Sequence, residues 1–194
     1  MTFDGSGTHG TTAYHAISIR QYGFDPEKTV LGRAGKGCYF WAYDSNTQVA
    51  DQLAYEWWKH SSKKKRYDES KDCSFVLFRV SLSTKQENVF DAHSLEFREA
   101  FDELKQAPKN SKKTPGKICE EIISLFQDKY RKIIQNKNFK YHLVYIDLSL
   151  PSDSEYFTPF SKGYPAYVVM DKTVISIKDD MQEPAFHRNG DYYG

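Results

Sequence analysis

Two short segments near the N-terminus carry residue types that can hold a nucleotide. The first is Thr8–Thr11, which contains a histidine followed by a glycine. The second is Gly35–Ala42, a Gly-x-Gly followed by aromatic residues. Each segment is a weak signal alone. Because both lie at the edge of a predicted strand, their spacing predicts that they line one cleft.

The chemistry suited to these residues is the cleavage of a dinucleotide such as NAD. The imidazole of His9 can hydrogen-bond a ribose hydroxyl. The backbone beside Gly10 can clasp a carboxamide, since no side chain blocks the approach. The ring of Tyr39 can stack on the flat nicotinamide. A carboxylate opposite the sugar would complete the site by stabilising positive charge at the anomeric carbon.

Hydrophobic periodicity and turn signals predict the elements that position these residues. We expect strands at 3–8, 38–42, 74–82, 89–91, 141–148, 167–170 and 173–177, and helices at about 12–22, 47–60, 94–106 and 117–135. The last two strands are expected to pair across a turn at Asp171-Lys172. Residues 108–116 are expected to form a loop. Strands and helices without regular βαβ alternation indicate an α+β fold.

Composition favours a single soluble domain at residues 1–180 followed by a polar tail at 181–194. The formal net charge is +1, so no global field favours nucleic acid or membrane. The three cysteines are odd in number and form no CxxC pair. This favours a reducing compartment and a cytoplasmic protein, or one delivered into a target cytoplasm. No apolar run is long enough for a membrane span, and the scattered histidines predict no metal site.

The two segments resemble the ADP-ribosyltransferase fold, in the His-Tyr-Glu branch of diphtheria-toxin-like enzymes and poly(ADP-ribose)-polymerase-like catalytic domains. The resemblance covers Thr8–Thr11, Ile19–Phe24 and Gly35–Ala42. It continues at Ala166–Asp171 and Thr173–Ile177, and residues 84–140 have no match. It implies split antiparallel β-sheets that form an NAD cleft, with NAD as co-substrate.

The resemblance also implies roles for individual residues. His9 would bind the nicotinamide ribose, and Gly10 the carboxamide. Thr11 would contact the adenosine side, and Tyr39 would stack on nicotinamide. The remaining expected NAD contacts are Phe40 and, at the phosphates, Arg33.

Two positions depart from the family pattern. The family's second stacking tyrosine corresponds to a position near Ala50, and Tyr55 is one turn further along the chain. The catalytic glutamate corresponds to Ala166. Either the natural protein lacks this glutamate, or the chain is an inactivated variant, or the match is shifted and Glu155 supplies the acid.

The resemblance implies a mono-ADP-ribosyltransferase that modifies a protein or a nucleic acid. Transfer of one unit is favoured because chain building depends on the missing glutamate. The small format resembles bacterial toxins and defence effectors, which implies a neutralising antitoxin as partner and no membrane. The alternatives are an enzyme-dead module that binds NAD or ADP-ribose, and an NAD glycohydrolase.

Overall fold

The computed structural model describes residues 1–67, 72–107, 112–150 and 163–182. Its helices are α1 Ala13–Tyr22, α2 Gln48–Lys63, α3 Leu95–Gln106 and α4 Pro115–Ile133. Its strands are β1 Thr2–Thr12, β2 Cys38–Tyr43, β3 Phe75–Lys85, β4 Val89–Asp91, β5 Leu143–Leu148, β6 Tyr164–Val169 and β7 Ile175–Gln182. The predicted α+β class is confirmed, and every predicted helix and strand is present, most of them with shifted ends.

Helix α1 begins and ends where its capping residues dictate. The Thr12 hydroxyl accepts a hydrogen bond from the His15 backbone N–H at 3.3 Å, which satisfies an otherwise unpaired amide of the first turn. At the other end, Gly23 adopts φ +76°, and its N–H bonds to the Ile19 carbonyl at 2.8 Å. A glycine takes this conformation without steric penalty.

Helix α4 begins earlier than the sequence predicted. Its cap is Thr114, whose hydroxyl accepts from the Lys117 N–H at 3.3 Å. Pro115 follows at the first helical position, where its missing N–H would be unpaired anyway. The predicted loop at 108–116 is therefore wrong for its last two residues.

All seven strands join one sheet in the order β4-β5-β6-β2-β1-β3-β7. The β4–β5 pair is parallel, and the other pairs are antiparallel. The expectation of two separate antiparallel sheets is wrong in this respect, because hydrogen bonds continue across the whole sheet.

Strands β6 and β7 do not pair with each other, so the predicted hairpin is wrong. β6 pairs with β2 and β5, whereas β7 pairs with β3. Asp171 accepts a bond from the Thr173 N–H at 2.9 Å. It thereby caps a short 3₁₀ turn at Lys172–Val174 instead of closing a hairpin.

The short link between β6 and β7 requires a strongly curled sheet. Four strand spacings separate β6 from β7, or about 19 Å in a flat sheet. The link contains a 3₁₀ turn and reaches about 16 Å at most. Val169 and Val174 accordingly pack in the same hydrophobic cluster.

Three hydrophobic clusters hold the layers together. The first core lies between α1 and the sheet and contains Phe24, Phe40 and Phe78. The second core joins α3 and α4 to β4, β5 and β6. The third core joins α2 to β2, β3 and β6. Within the described part of the chain, no helix is long and apolar enough to cross a membrane.

The C-terminal strand is longer than predicted. Met181 and Gln182 still pair with Leu77 and Val76 of β3. The strand therefore extends two residues beyond the expected domain end at 180. Residues 183–194, which make up most of the predicted tail, lie outside the described residues.

Candidate functional site

The three strands that carry the sequence motifs are neighbours in the sheet. β1 pairs with β2, and Thr8 lies opposite Trp41. β2 also pairs with β6, and Trp41 lies opposite Ala166. Residues far apart in the sequence are therefore brought into one row across the sheet.

His9 is held on the first-core face of the sheet. Its Nδ1 atom lies 2.8 Å from the Tyr39 carbonyl oxygen, and its ring packs edge-on against Phe24, with centroids 5.2 Å apart. Because a carbonyl only accepts, Nδ1 carries the proton and Nε2 presents a lone pair. Burial is the main cause that lowers the pKa of His9 below 6.5, so the ring is neutral near pH 7.

The Nε2 atom of His9 makes no hydrogen bond within the described residues. It is therefore an acceptor that a ribose hydroxyl of a ligand could satisfy. This is the part of the predicted site that the geometry supports best.

Tyr39 holds the loop that precedes β2. Its hydroxyl donates to the Gly35 carbonyl at 2.6 Å and accepts from the Ala34 N–H at 3.0 Å. A Cβ at Gly32 would overlap this hydroxyl, so the close approach requires glycine there. Burial raises the pKa of Tyr39 to about 12.

The side chains of His9 and Tyr39 lie on opposite faces of the sheet. His9 contacts Phe24 and Phe40 of the first core. Tyr39 packs against the second core. The two rings therefore do not line a common cleft, and the predicted stacking role of Tyr39 remains a prediction.

Helix α2 covers the backbone of Gly10. A Cβ at this position would overlap the Ala54 carbonyl oxygen. Beside it, the Thr8 hydroxyl donates to the Ala50 carbonyl at 2.9 Å. The close approach that Gly10 allows is thus used by α2, in the place expected for a carboxamide.

Tyr55 does not replace the second stacking tyrosine in this geometry. Its ring lies against Phe75 at 5.3 Å and Trp58 at 5.5 Å. Ala50, at the position that matches the tyrosine in the resemblance, is buried on the side of α2 that faces the sheet. Both residues therefore take part in packing α2 on the sheet.

Ala166 lies in the third core with only 1% of its surface exposed. Its surroundings there include Trp41, Leu53 and Leu150, which are apolar. A carboxylate at this position would lie among hydrocarbon groups. The alternative acid, Glu155, lies outside the described residues.

The remaining predicted NAD contacts differ in accessibility. Phe40 is fully buried in the first core and Thr11 is buried at the end of β1, so neither presents a side chain to a ligand here. Arg33 is exposed. It donates to the Ser149 carbonyl at 2.8 Å, and its guanidinium lies 5.4 Å from the Trp57 ring centre.

The sequence interpretation missed a charged cluster around His93. Its Nδ1 lies 2.8 Å from Asp91 and its Nε2 lies 3.1 Å from Asp147. Burial alone would lower the pKa of His93, but hydrogen bonds to Asp147 and Asp91 raise it above 6.5. Asp91 and His93 are two positions apart in the sequence, whereas Asp147 is brought close to them only by the parallel pairing of β4 with β5.

Two depressions lie on the surface, and the second is lined in part by Gly35 and Lys36 of the motif segment Gly35–Ala42. Their volumes are about 480 and 560 Å³, and neither is lined by His9, Tyr39 or Ala166.

Comparisons with protein-family models, with curated proteins and with solved structures each gave no match. Among the described residues, no group of three or more His, Cys, Asp or Glu side chains is placed to hold a metal ion.

Proposed function

We propose that this chain is an NAD-dependent mono-ADP-ribosyltransferase of the ADP-ribosyltransferase fold. The observation that carries the proposal is the adjacency of β1, β2 and β6, since Thr8, Trp41 and Ala166 form one row across these strands. The proposed site requires the three motif segments to be neighbours in the fold, and their positions in the sequence alone do not ensure this.

In the proposed reaction, the bond between nicotinamide and C1′ of the ribose breaks, and its electron pair leaves with nicotinamide. A nucleophile of the acceptor bonds to C1′ and releases its proton. His9 would orient the ribose by accepting a hydrogen bond from one of its hydroxyl groups at Nε2. Arg33 would meet the phosphates through its exposed guanidinium.

The two proposed NAD contacts lie apart, since His9 packs against Phe24 and Arg33 lies over Trp57 of α2, and α2 occupies the nicotinamide position beside Gly10. The proposal therefore includes a shift of α2 away from β1 when NAD binds. The backbone carbonyls of Ala50 and Ala54 make the contact of α2 with β1. The shift would break the hydrogen bond from the Thr8 hydroxyl to Ala50.

The first experiment measures NAD binding by calorimetry and nicotinamide release by chromatography. We expect His9→Gln to weaken NAD binding at least tenfold, because the acceptor for the ribose hydroxyl changes position. His15→Gln is the matched control on the exposed start of α1 and should bind as the parent does. Equal affinity in all three proteins would contradict the proposed role of His9.

The second experiment identifies the acceptor. Labelled NAD is incubated with the protein and a cell lysate, and the products are digested with nuclease or protease. Loss of labelled macromolecule to nuclease, together with a steep fall of labelling as salt rises, would indicate a nucleic acid. Free ADP-ribose without any labelled macromolecule would indicate water as acceptor.

A second candidate is a catalytically inactive module that binds NAD or an ADP-ribose-like ligand. It is favoured by Ala166, which leaves the glutamate position without a carboxylate in an apolar cluster. Binding without nicotinamide release, in both the parent and Ala166→Glu, would support this candidate. Restored release in Ala166→Glu would instead support an inactivated enzyme.

The resemblance to diphtheria-toxin-like enzymes favours a toxin or defence effector that works in the cytoplasm with a neutralising antitoxin partner. The test expresses the protein in cells, follows their growth and identifies the proteins that co-purify with it. Growth arrest that requires His9 would support it, whereas unchanged growth at high expression would count against it.

A further inference from the structure

A depression of about 480 Å³ lies between α1 and β7. Its floor includes Ile19 and Phe24 from the α1 side and Ile175 and Ile177 from β7. Ile177 remains 40% exposed. The lining is mixed, because Arg20, Lys172 and Thr173 lie beside these apolar side chains.

The depression borders an open edge of the sheet. β7 is the last strand in the sheet order and pairs with β3 on one side only. Its other side has no strand partner among the described residues. Such an edge can accept an extended peptide as an additional strand, with main-chain hydrogen bonds supplying affinity.

The charges around the depression favour an acidic occupant. Arg20 and Lys172 line it, and none of its described lining residues is Asp or Glu. Arg20 is already paired with Asp180 at 2.6 Å. Lys172 has no ion pair within the described residues, so its charge is available to a ligand carboxylate.

We infer that β7 and this depression bind an extended peptide segment of a partner protein in which apolar and acidic residues alternate. Alternate side chains of a strand point to opposite faces. Apolar side chains of the peptide would enter the depression over Ile175 and Ile177, and a carboxylate at its end would reach Lys172. The inference does not depend on the proposed transferase activity.

One side chain, that of Phe24, connects the depression to His9. Phe24 lines it, and the rings of Phe24 and His9 have centroids 5.2 Å apart. A bound peptide would therefore change the surroundings of the His9 imidazole. Partner binding at β7 would be sensed at the motif residue without direct contact.

The test uses the full chain and two synthetic peptides. One peptide alternates valine with glutamate, and the other alternates valine with lysine. We expect the glutamate peptide to bind at least tenfold more tightly by fluorescence anisotropy and to shift the His9 imidazole signals in NMR spectra. Equal affinity for the two peptides, or no binding of either, would overturn the inference.

Variants locate the binding site. Lys172→Glu should weaken binding of the glutamate peptide at least tenfold, and Ile177→Thr should weaken it as well. Their matched controls are Lys137→Glu and Ile17→Thr, exposed residues outside the depression. Equal weakening by the controls would overturn the inference, and so would a concentration-dependent dimer in sedimentation that Ile177→Thr abolishes, because a second copy would then be the occupant.

Discussion

The Nδ1 atom of His9 lies 2.8 Å from the backbone carbonyl oxygen of Tyr39. One motif residue thus contacts the other through its main chain, while the Tyr39 ring lies on the opposite side of the sheet against the second core. The contact fixes the proton of His9 on Nδ1. It also makes His9 a structural residue of the β1–β2 pair as well as a candidate ligand-binding residue.

The first prediction concerns acid stability. The pKa of His9 is lowered in the folded state, so the unfolded chain binds a proton more readily. The contribution of His9 to stability is therefore complete above about pH 6.5 and declines as the pH falls below that value. Chemical unfolding at several pH values should show this decline reduced in His9→Gln and retained in His15→Gln.

His93 should behave in the opposite way. Its pKa is raised in the folded state by Asp147 and Asp91, against the effect of burial. Its contribution is complete below about pH 6.5 and is lost as the pH rises through the raised folded value. His93→Gln should remove this loss of stability with rising pH. If the free energy of unfolding of His93→Gln changed with pH as that of the parent does, between roughly pH 6 and 9, the ion-pair geometry would be contradicted.

Replacing Ala166 by glutamate should destabilise the protein as it is folded here. The side chain would enter the apolar third core, at a cost of about 3–5 kcal/mol in the free energy of unfolding. Ala166→Gln is the matched control, since it has the same size without the charge. The gap between the two variants should widen as the pH rises. A stable Ala166→Glu protein would show that α2 and Trp41 do not enclose this position in solution.

Gly10→Ala should force α2 away from the sheet. The added Cβ would overlap the Ala54 carbonyl, and overpacking of this kind costs about 1–3 kcal/mol. Helix α2 carries Trp57 and Trp58, so tryptophan fluorescence should report the displacement. Gln21→Ala is the control: it changes an exposed side chain on α1, so it should leave the emission unchanged.

Tyr39→Phe should loosen the loop before β2. It removes the bonds to Gly35 and Ala34, and we expect a loss of about 1–3 kcal/mol. The Ala34 N–H should exchange faster with solvent. Tyr22→Phe changes a ring that is 68% exposed and should leave stability within about 0.5 kcal/mol of the parent.

Much of the local structure could be predicted because its causes are local. Thr12 and Gly23 delimit α1 through bonds to residues three or four positions away. The apolar run that became β3 is buried along most of its length. The predicted hairpin at Asp171-Lys172 failed, since a turn signal does not specify which strands it joins. Asp171 caps a 3₁₀ turn, and β7 then continues to the far edge of the sheet.

The candidate site stays a prediction. The strands that bear His9 and Tyr39 do pair. The face of the sheet on which each of these two side chains lies could not be predicted, because it depends on the register of β1 against β2. The cover that α2 places on Gly10 also depends on long-range packing.

The sequence alone determined the secondary structure and the α+β class, because capping, turns and hydrophobic periodicity act over a few residues. It also gave the residue types on which the proposed site rests, including an alanine where the enzymes it resembles carry their acid. Only the tertiary structure decided that β1, β2 and β6 are adjacent, that one curled sheet replaces two, and that Ala166 and Gly10 lie beneath α2. These features result from contacts between distant segments, whose free energy depends on how all layers pack together.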